Sequence, residues 1–320
     1  MNKRHFLAAM GVALALGVAT PGFAAEAYPS HEVKLIIPFA PGGATDVVFR
    51  VISEAAEAKL GKPIVPMNMG GAGGSKGSTF VKGAKADGYT LLGGHEFLMT
   101  TKYGGMVDFG LEAFEPVCTL AATPFTVTAG AHVPYNNYQE FVEFVKKNPG
   151  KAIIGMTPAS VQYVFWSEVA RTGGFELGKD LRVVIINGSG AQNKALLGKH
   201  IDLASGDVPS NFEYVKDGRM KFLAVSNPTR VAQIPNVQTQ KEAGYDVNLA
   251  VTRGVFAPKG TPKDVIDKVA KAYEAACKDP AVIKKIQDLG NEMLYLNPEE
   301  TRDYFGKLDV IYKAAFEQQK

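Results

Sequence analysis

The chain has 320 residues, 46% of them hydrophobic, with 35 basic and 32 acidic side chains, a formal net charge of +3 and two cysteines. That balance excludes a strongly basic nucleic-acid surface and a polybasic membrane face, and the length exceeds what one ordinary core fills, so two lobes are expected. No CxxC pair and no metal-ligand cluster occurs and the five histidines are scattered, so no metal and no other cofactor is expected.

Lys3 and Arg4 precede an apolar run from Phe6 to Val18 and then small residues. The run is shorter than the about 20 residues a membrane helix needs and reads as a cleavable secretory signal. Gly22-Phe23-Ala24 fits cleavage after Ala24, with Ala25-Glu26-Ala27 as the second choice. The mature chain would then carry 33 basic and 32 acidic residues. No later segment is long and apolar enough to span a bilayer, so an exported, soluble protein is expected. Export places Cys118 and Cys277 where disulfides persist; they form a candidate disulfide, with two buried free thiols as the alternative.

Around 33–61 the sequence VKLIIPFAPGGATDVVFRVISEAAEAKLG predicts strand, glycine turn and helix. Val33, Leu35 and Ile37 alternate up to Pro38. Thr45 or Asp46 is expected to cap a helix whose apolar positions Val47, Val48, Val51, Ile52, Ala55, Ala56 and Leu60 recur at helical spacing until Gly61. The first turn of a helix offers unpaired N–H groups and the positive end of the macrodipole, so an anion can sit there. Gly42 and Gly43 would let it approach the main chain. A plain tight turn is the competing reading.

A strand over 63–67 runs into Asn68-Met69-Gly70-Gly71-Ala72-Gly73-Gly74-Ser75, followed by a helix over 75–85 and a strand over 89–92 ending at Gly93-Gly94. Three glycine-rich loops at strand ends suit the carboxyl edge of a parallel sheet, where ligands bind. Gly71 and Gly73 open a GxGxxG frame that fails at Lys76, and no P-loop frame is completed, which argues against a nucleotide site. From 117 to 127 the chain reads as extended and interrupted by Pro124, a first crossing into a second lobe. A helix over 138–147 stops at Asn148-Pro149-Gly150. A strand over 151–155 ends in Met156-Thr157-Pro158-Ala159-Ser160, and a helix covers 161–171. Strands over 182–186 and 201–204 lead into Asn187-Gly188-Ser189-Gly190 and Ser205-Gly206-Asp207, with a helix over 191–197 between them and a strand over 220–225 beyond. The chain is expected to return to the first lobe near 251–258. Thr261-Pro262, Asp279-Pro280 and Asn297-Pro298 then open three successive helices.

These residues carry a resemblance. Pro38-Phe39-Ala40-Pro41-Gly42-Gly43 with Asp46 and Arg50, Asn68 with Gly70-Gly71-Ala72-Gly73-Gly74, and Ala86-Asp87-Gly88-Tyr89-Thr90-Leu91 are its first half. Asn148-Pro149-Gly150-Lys151, Gly188-Ser189-Gly190 with Leu196-Leu197-Gly198, Gly218 with Leu223-Ala224-Val225, Arg230, Pro235, Val237, Glu242-Ala243-Gly244 and Ala257-Pro258-Lys259-Gly260-Thr261-Pro262 follow. In this order and spacing they make the mature chain resemble the solute-binding proteins of tripartite tricarboxylate transporters, the Bug family.

The resemblance implies an α/β, two-lobed periplasmic-binding-protein fold of the flytrap type, with lobe I over 25–123 and 251–320, lobe II over 124–250, and the ligand cleft between them. It implies a monomeric periplasmic receptor, not an enzyme, that captures a di- or tricarboxylate, an aromatic carboxylate or a related organic acid and hands it to the permease subunits of a membrane transporter. Transferred residue by residue, it nominates Phe39, Ala40, Gly42, Gly43, Thr45, Asp46 and Asn68 from lobe I, and Thr157, Ser160, Gly188, Ser189 and Asp207 from lobe II. At the 157–163 loop the family often has glycines followed by histidine, whereas this chain has Thr157-Pro158-Ala159-Ser160; proline removes a donor there.

Asp46 would repel an anion if it faced one, so it is read as a cap or as the holder of a bridging water. Arg50 is read as loop support, His95 and Glu96 as surface or loop residues, and Trp166 and Tyr163 as core. A periplasmic sensor that signals to a membrane kinase is the alternative function. An exported enzyme is disfavoured by the lack of a GxSxG elbow, of a paired histidine and of a metal motif.

Overall fold

The structure, a computed structural model, describes residues 27–317. The signal expected over 1–24 lies outside the described residues. The first half runs β1 (Val33–Ile37), α1 (Ala44–Leu60), β2 (Ile64–Asn68), a 3-10 turn into α2 (Ser75–Lys82), β3 (Thr90–Gly94) and α3 (Phe97–Tyr103). A 17-residue strand, β4 (Phe114–Gly130), leads out of it. There follow α4 (Tyr138–Lys147), β5 (Ala152–Met156), α5 (Val161–Gly173), β6 (Leu181–Ile185), α6 (Ser189–Leu197), β7 (Leu203–Gly206), α7 (Val208–Lys216) and β8 (Met220–Ser226). The chain then passes through β9 (Ala250–Pro258), α8 (Lys263–Cys277), α9 (Pro280–Asp288), β10 (Glu292–Leu296) and α10 (Pro298–Glu317).

The strand order is β2-β1-β3-β9-β4-β7-β5-β6, with β8 and β10 also paired to β4. Within each half the strands that follow helices are parallel, β1 to β2 and β3, and β5 to β6 and β7. Such crossovers put the strand-to-helix loops at one edge. Antiparallel β4 and β9 join the halves. Pro124 does not interrupt β4. It is the last β4 residue paired with β9, opposite Ala250, and Phe125 begins the pairing with β8. A residue without an N–H fits where a strand changes partners.

One core packs α1 and α8 on β1, β4 and β9. A larger one holds α4 and α5, including the fully buried Trp166, together with α3 and α10. The last helix therefore covers more than the first half: the Tyr163 hydroxyl of α5 donates to the Ala315 carbonyl of α10 at 3.2 Å. The three C-terminal helices are not successive, because β10 separates α9 from α10 and pairs with β4. Asp279 accepts from the Ala281 N–H, and Asn297 and Glu300 form a reciprocal capping box. Thr261 instead turns its hydroxyl onto the Pro258 carbonyl, and Pro262 takes the capping position.

Cys118 and Cys277 are free thiols, which corrects the candidate disulfide. Both lie in the apolar core shared by β4 and α8, and burial pushes both thiols up, that of Cys277 to about 12. They behave there as small apolar side chains.

Candidate functional site

The glycine turn after β1 is held by a clasp. Asp46, only 2% exposed, accepts the Gly42 N–H at 2.8 Å, the Asn68 amide at 2.8 Å, and Arg50 Nε on both oxygens at 2.9 and 3.0 Å. Asn68 also donates to the Phe39 carbonyl and accepts from Arg50 Nη2. Burial opposes ionisation of Asp46, but the Arg50, Gly42 and Asn68 hydrogen bonds and the Arg50 charge outweigh it and hold the carboxyl below its usual range. Neither Thr45 nor Asp46 caps α1. Gly43 stands at that position with no side-chain bond, and Asp46 reaches back one residue further to Gly42. Arg50 supports the loop, as its place one turn along the helix suggests.

The second half presents a different surface. A cavity of about 300 Å³ is walled by Thr157, Ser160, Gly188, Ser189 and Asp207, all nominated from sequence, and by Phe125, Val161, Gln162, Val251 and Arg253 among residues that were not. The N-termini of α5, α6 and α7 meet there. Ser160 accepts from the Tyr163 N–H and Asp207 from the Ser210 N–H, so α5 and α7 carry side-chain caps. At α6 the cap is Gly188, at φ 87°, with no side-chain bond. This left-handed backbone is why glycine stands there. The Gly188 N–H donates to the Thr157 hydroxyl, which ties the two loops together across 31 residues. Beneath them Gln162 and Gln192 exchange amide hydrogen bonds at 3.3 and 3.0 Å.

Of the nominated residues, Phe39, Ala40, Gly42, Gly43, Thr45, Asp46 and Asn68 do not line this cavity. Phe39 stacks on His95, with ring centroids 4.8 Å apart. Thr45 reaches the cavity indirectly, as acceptor for Arg253 Nε at 3.3 Å.

Arg253, on β9, is the residue that sequence reasoning missed. It is 3% exposed, and its Nη1 donates to Thr123 Oγ1 at 2.6 Å and to Asn291 Oδ1 at 3.1 Å. Burial pushes its pKa down to about 10, against the charges of Glu96 and Asp207, so it is a cation at neutral pH. The signal was available: one charged residue inside the otherwise uncharged and mostly apolar run AVTRGVFAP.

His95 and Glu96, read as surface or loop residues, lie in the loop between β3 and α3 but are buried, within reach of the Arg253 charge. Glu96 accepts the Thr252 N–H at 2.9 and 3.1 Å, and burial raises its carboxyl to about 7. Burial and the Arg253 charge push His95 down to about 3, so it is neutral.

The parallel halves joined through β4 and β9, with three helix N-termini around one cavity, define an α/β binding protein of the periplasmic type. The profile of the tripartite tricarboxylate transporter family receptors matches residues 48–307, and the chain belongs to that family, one of solute receptors rather than enzymes. Its structure is similar to a TctC solute-binding protein from Polaromonas, with a TM-score of 0.81, 25% identity, and coverage of 91% of this chain and 99% of that one. The periplasmic binding protein BugD is 31% identical, with a TM-score of 0.70 and coverage of 91% and 98%. MatC from Rhodopseudomonas palustris, solved with bound malate, is 25% identical, with a TM-score of 0.72 and coverage of 90% and 100%.

Proposed function

We propose that this protein is an exported periplasmic receptor that takes up a small carboxylate, di- or tricarboxylic, aromatic or related, and delivers it to the membrane subunits of a tripartite tricarboxylate-type transporter. The observation that carries this reading is the convergence of three helix N-termini on one cavity, one of them, at Gly188-Ser189, with no side-chain cap. Free N–H groups and aligned dipoles bind an anion without a high net charge. The malate bound by MatC supports the ligand class. Lobe I, over 25–123 and 251–320, would close on lobe II, over 124–250, with β4 and β9 as the connection, so that ligand shifts an open-to-closed equilibrium which the permease reads.

The test is a thermal-shift screen of the mature protein against malate, succinate, citrate, glutamate and benzoate. A ligand at 100 times its dissociation constant stabilises by about 2.7 kcal/mol, which a melting curve resolves. One class of acid should shift the transition. No shift from any of them would overturn the reading.

A further inference from the structure

Arg253 is a buried cation with an unfilled side. Its Nε and Nη1 are taken by Thr45, Thr123, Asn291 and the Val251 carbonyl, all neutral acceptors. Among the described residues, no acceptor takes Nη2 and no carboxylate oxygen comes within the 4.0 Å of an ion pair. The residue nevertheless lines the cavity. Asp207, the one carboxylate on that wall, spends Oδ1 on the Ser210 N–H, and Glu96 spends both oxygens on the Thr252 N–H. A buried charge without a charged partner is costly to the folded protein, and Nη2 keeps two N–H groups with which to make a charge-assisted hydrogen bond to a carboxylate.

We infer that Arg253 is the ligand's counter-ion: one carboxylate of the bound acid docks directly on its Nη2 edge, and the residue makes the receptor selective for an acid over the neutral amide of the same shape. This rests on the receptor reading above and adds to it a specific charged contact. The contact also reaches the first half, because the same guanidinium donates to Thr45 in the first turn of α1. A carboxylate seated there is held by β9 and, through Thr45, meets the element that carries the glycine turn.

The experiment compares the wild type and Arg253→Gln by calorimetry, using malate, succinate, citrate, glutamate and benzoate, each paired with its full amide. The acid bound by the wild type should lose about 30-fold or more in affinity in the variant, the range found when one partner of a buried charged contact is truncated. The preference for acid over amide should fall by the same factor. Arg253→Lys, a charge without the planar fork, should lie between the two. A wild type that binds none of the acids overturns the receptor reading. A wild type that binds an acid which Arg253→Gln binds within threefold overturns the inference and leaves that reading standing. The wild-type protein crystallised with the bound acid decides the matter if the variant fails to fold. A carboxylate about 2.8 Å from Nη2 is expected, and one held by the loops alone overturns the inference.

Discussion

Two sites in this molecule look alike in sequence and differ in how their charges are completed. The turn after β1 is glycine-rich and opens a helix, yet its one carboxylate, Asp46, is satisfied by Gly42, Asn68 and Arg50. Around the second-half cavity the order is reversed. The helix start at Gly188 has no side-chain cap, and the cation below it has no carboxylate within ion-pair reach among the described residues. A charge paired inside the protein shapes a loop. A charge left incomplete at a cavity wall leaves a place for something that arrives from outside.

The largest expected effect concerns the buried floor under Arg253. The Glu96 carboxyl sits at about 7 in the folded protein against an ordinary 4.5. The folded state therefore holds this proton while the unfolded chain loses it, and the stability contributed by Glu96 is complete below about pH 4.5 and lost as pH rises through 7. His95 has the opposite sign: its pKa of about 3 against 6.5 gives a contribution present above 6.5 and lost as pH falls through 3. Glu96→Gln removes the first arm and keeps the second. At pH 8 the variant should exceed the wild type by up to about 3 kcal/mol, and near pH 4 the two should converge. Urea titrations read through the emission of the single, buried Trp166 measure this. Parallel stability curves would break the contrast, because they would mean that this charge is as well compensated as Asp46.

Asp46→Ala should cost about 2 to 3 kcal/mol, since it strips the acceptor from a charged partner and from two neutral donors. It should weaken acid binding by less than tenfold. The same pair of measurements, denaturation and calorimetry, checks it. A large loss of affinity at unchanged stability would show that the clasp faces the ligand and would erase the difference between the two sites.

The smallest effect is expected at Ser160, whose hydroxyl accepts from Tyr163 N–H and donates to the Thr157 carbonyl at 2.7 Å. Ser160→Ala should lower stability by about 1 kcal/mol as a lost helix cap. Loss of acid affinity beyond that factor would sharpen the contrast, marking the hydroxyl as a ligand contact and not only a cap.

Much of the site was legible because its signals are local. By a local rule, glycine, serine and aspartate at a strand end followed by an apolar helical repeat mark a loop that opens a helix, and within such loops the family resemblance nominated Thr157, Ser160, Gly188, Ser189 and Asp207. The resemblance also nominated Phe39, Ala40, Gly42, Gly43, Thr45, Asp46 and Asn68 around the first glycine turn, and these do not line the cavity. The rule sees a loop and a helix start but not the partners that complete Asp46, of which Asn68 lies 22 residues away.

By itself the sequence determined most of the order of the elements, α3, α7 and β10 excepted, because helix periodicity, caps and strand alternation are properties of neighbouring residues, and ordered motifs along the whole chain sufficed to recognise the family. Only the tertiary structure decided which groups are buried and which are paired. Arg253 meets Thr45 from 208 residues away, Thr123 from 130 and Asn291 from 38. Desolvation and hydrogen bonding act through space, so a side chain that reads as one arginine in an apolar strand becomes an incompletely paired cation at a cavity wall only when β4, β9 and α1 come together.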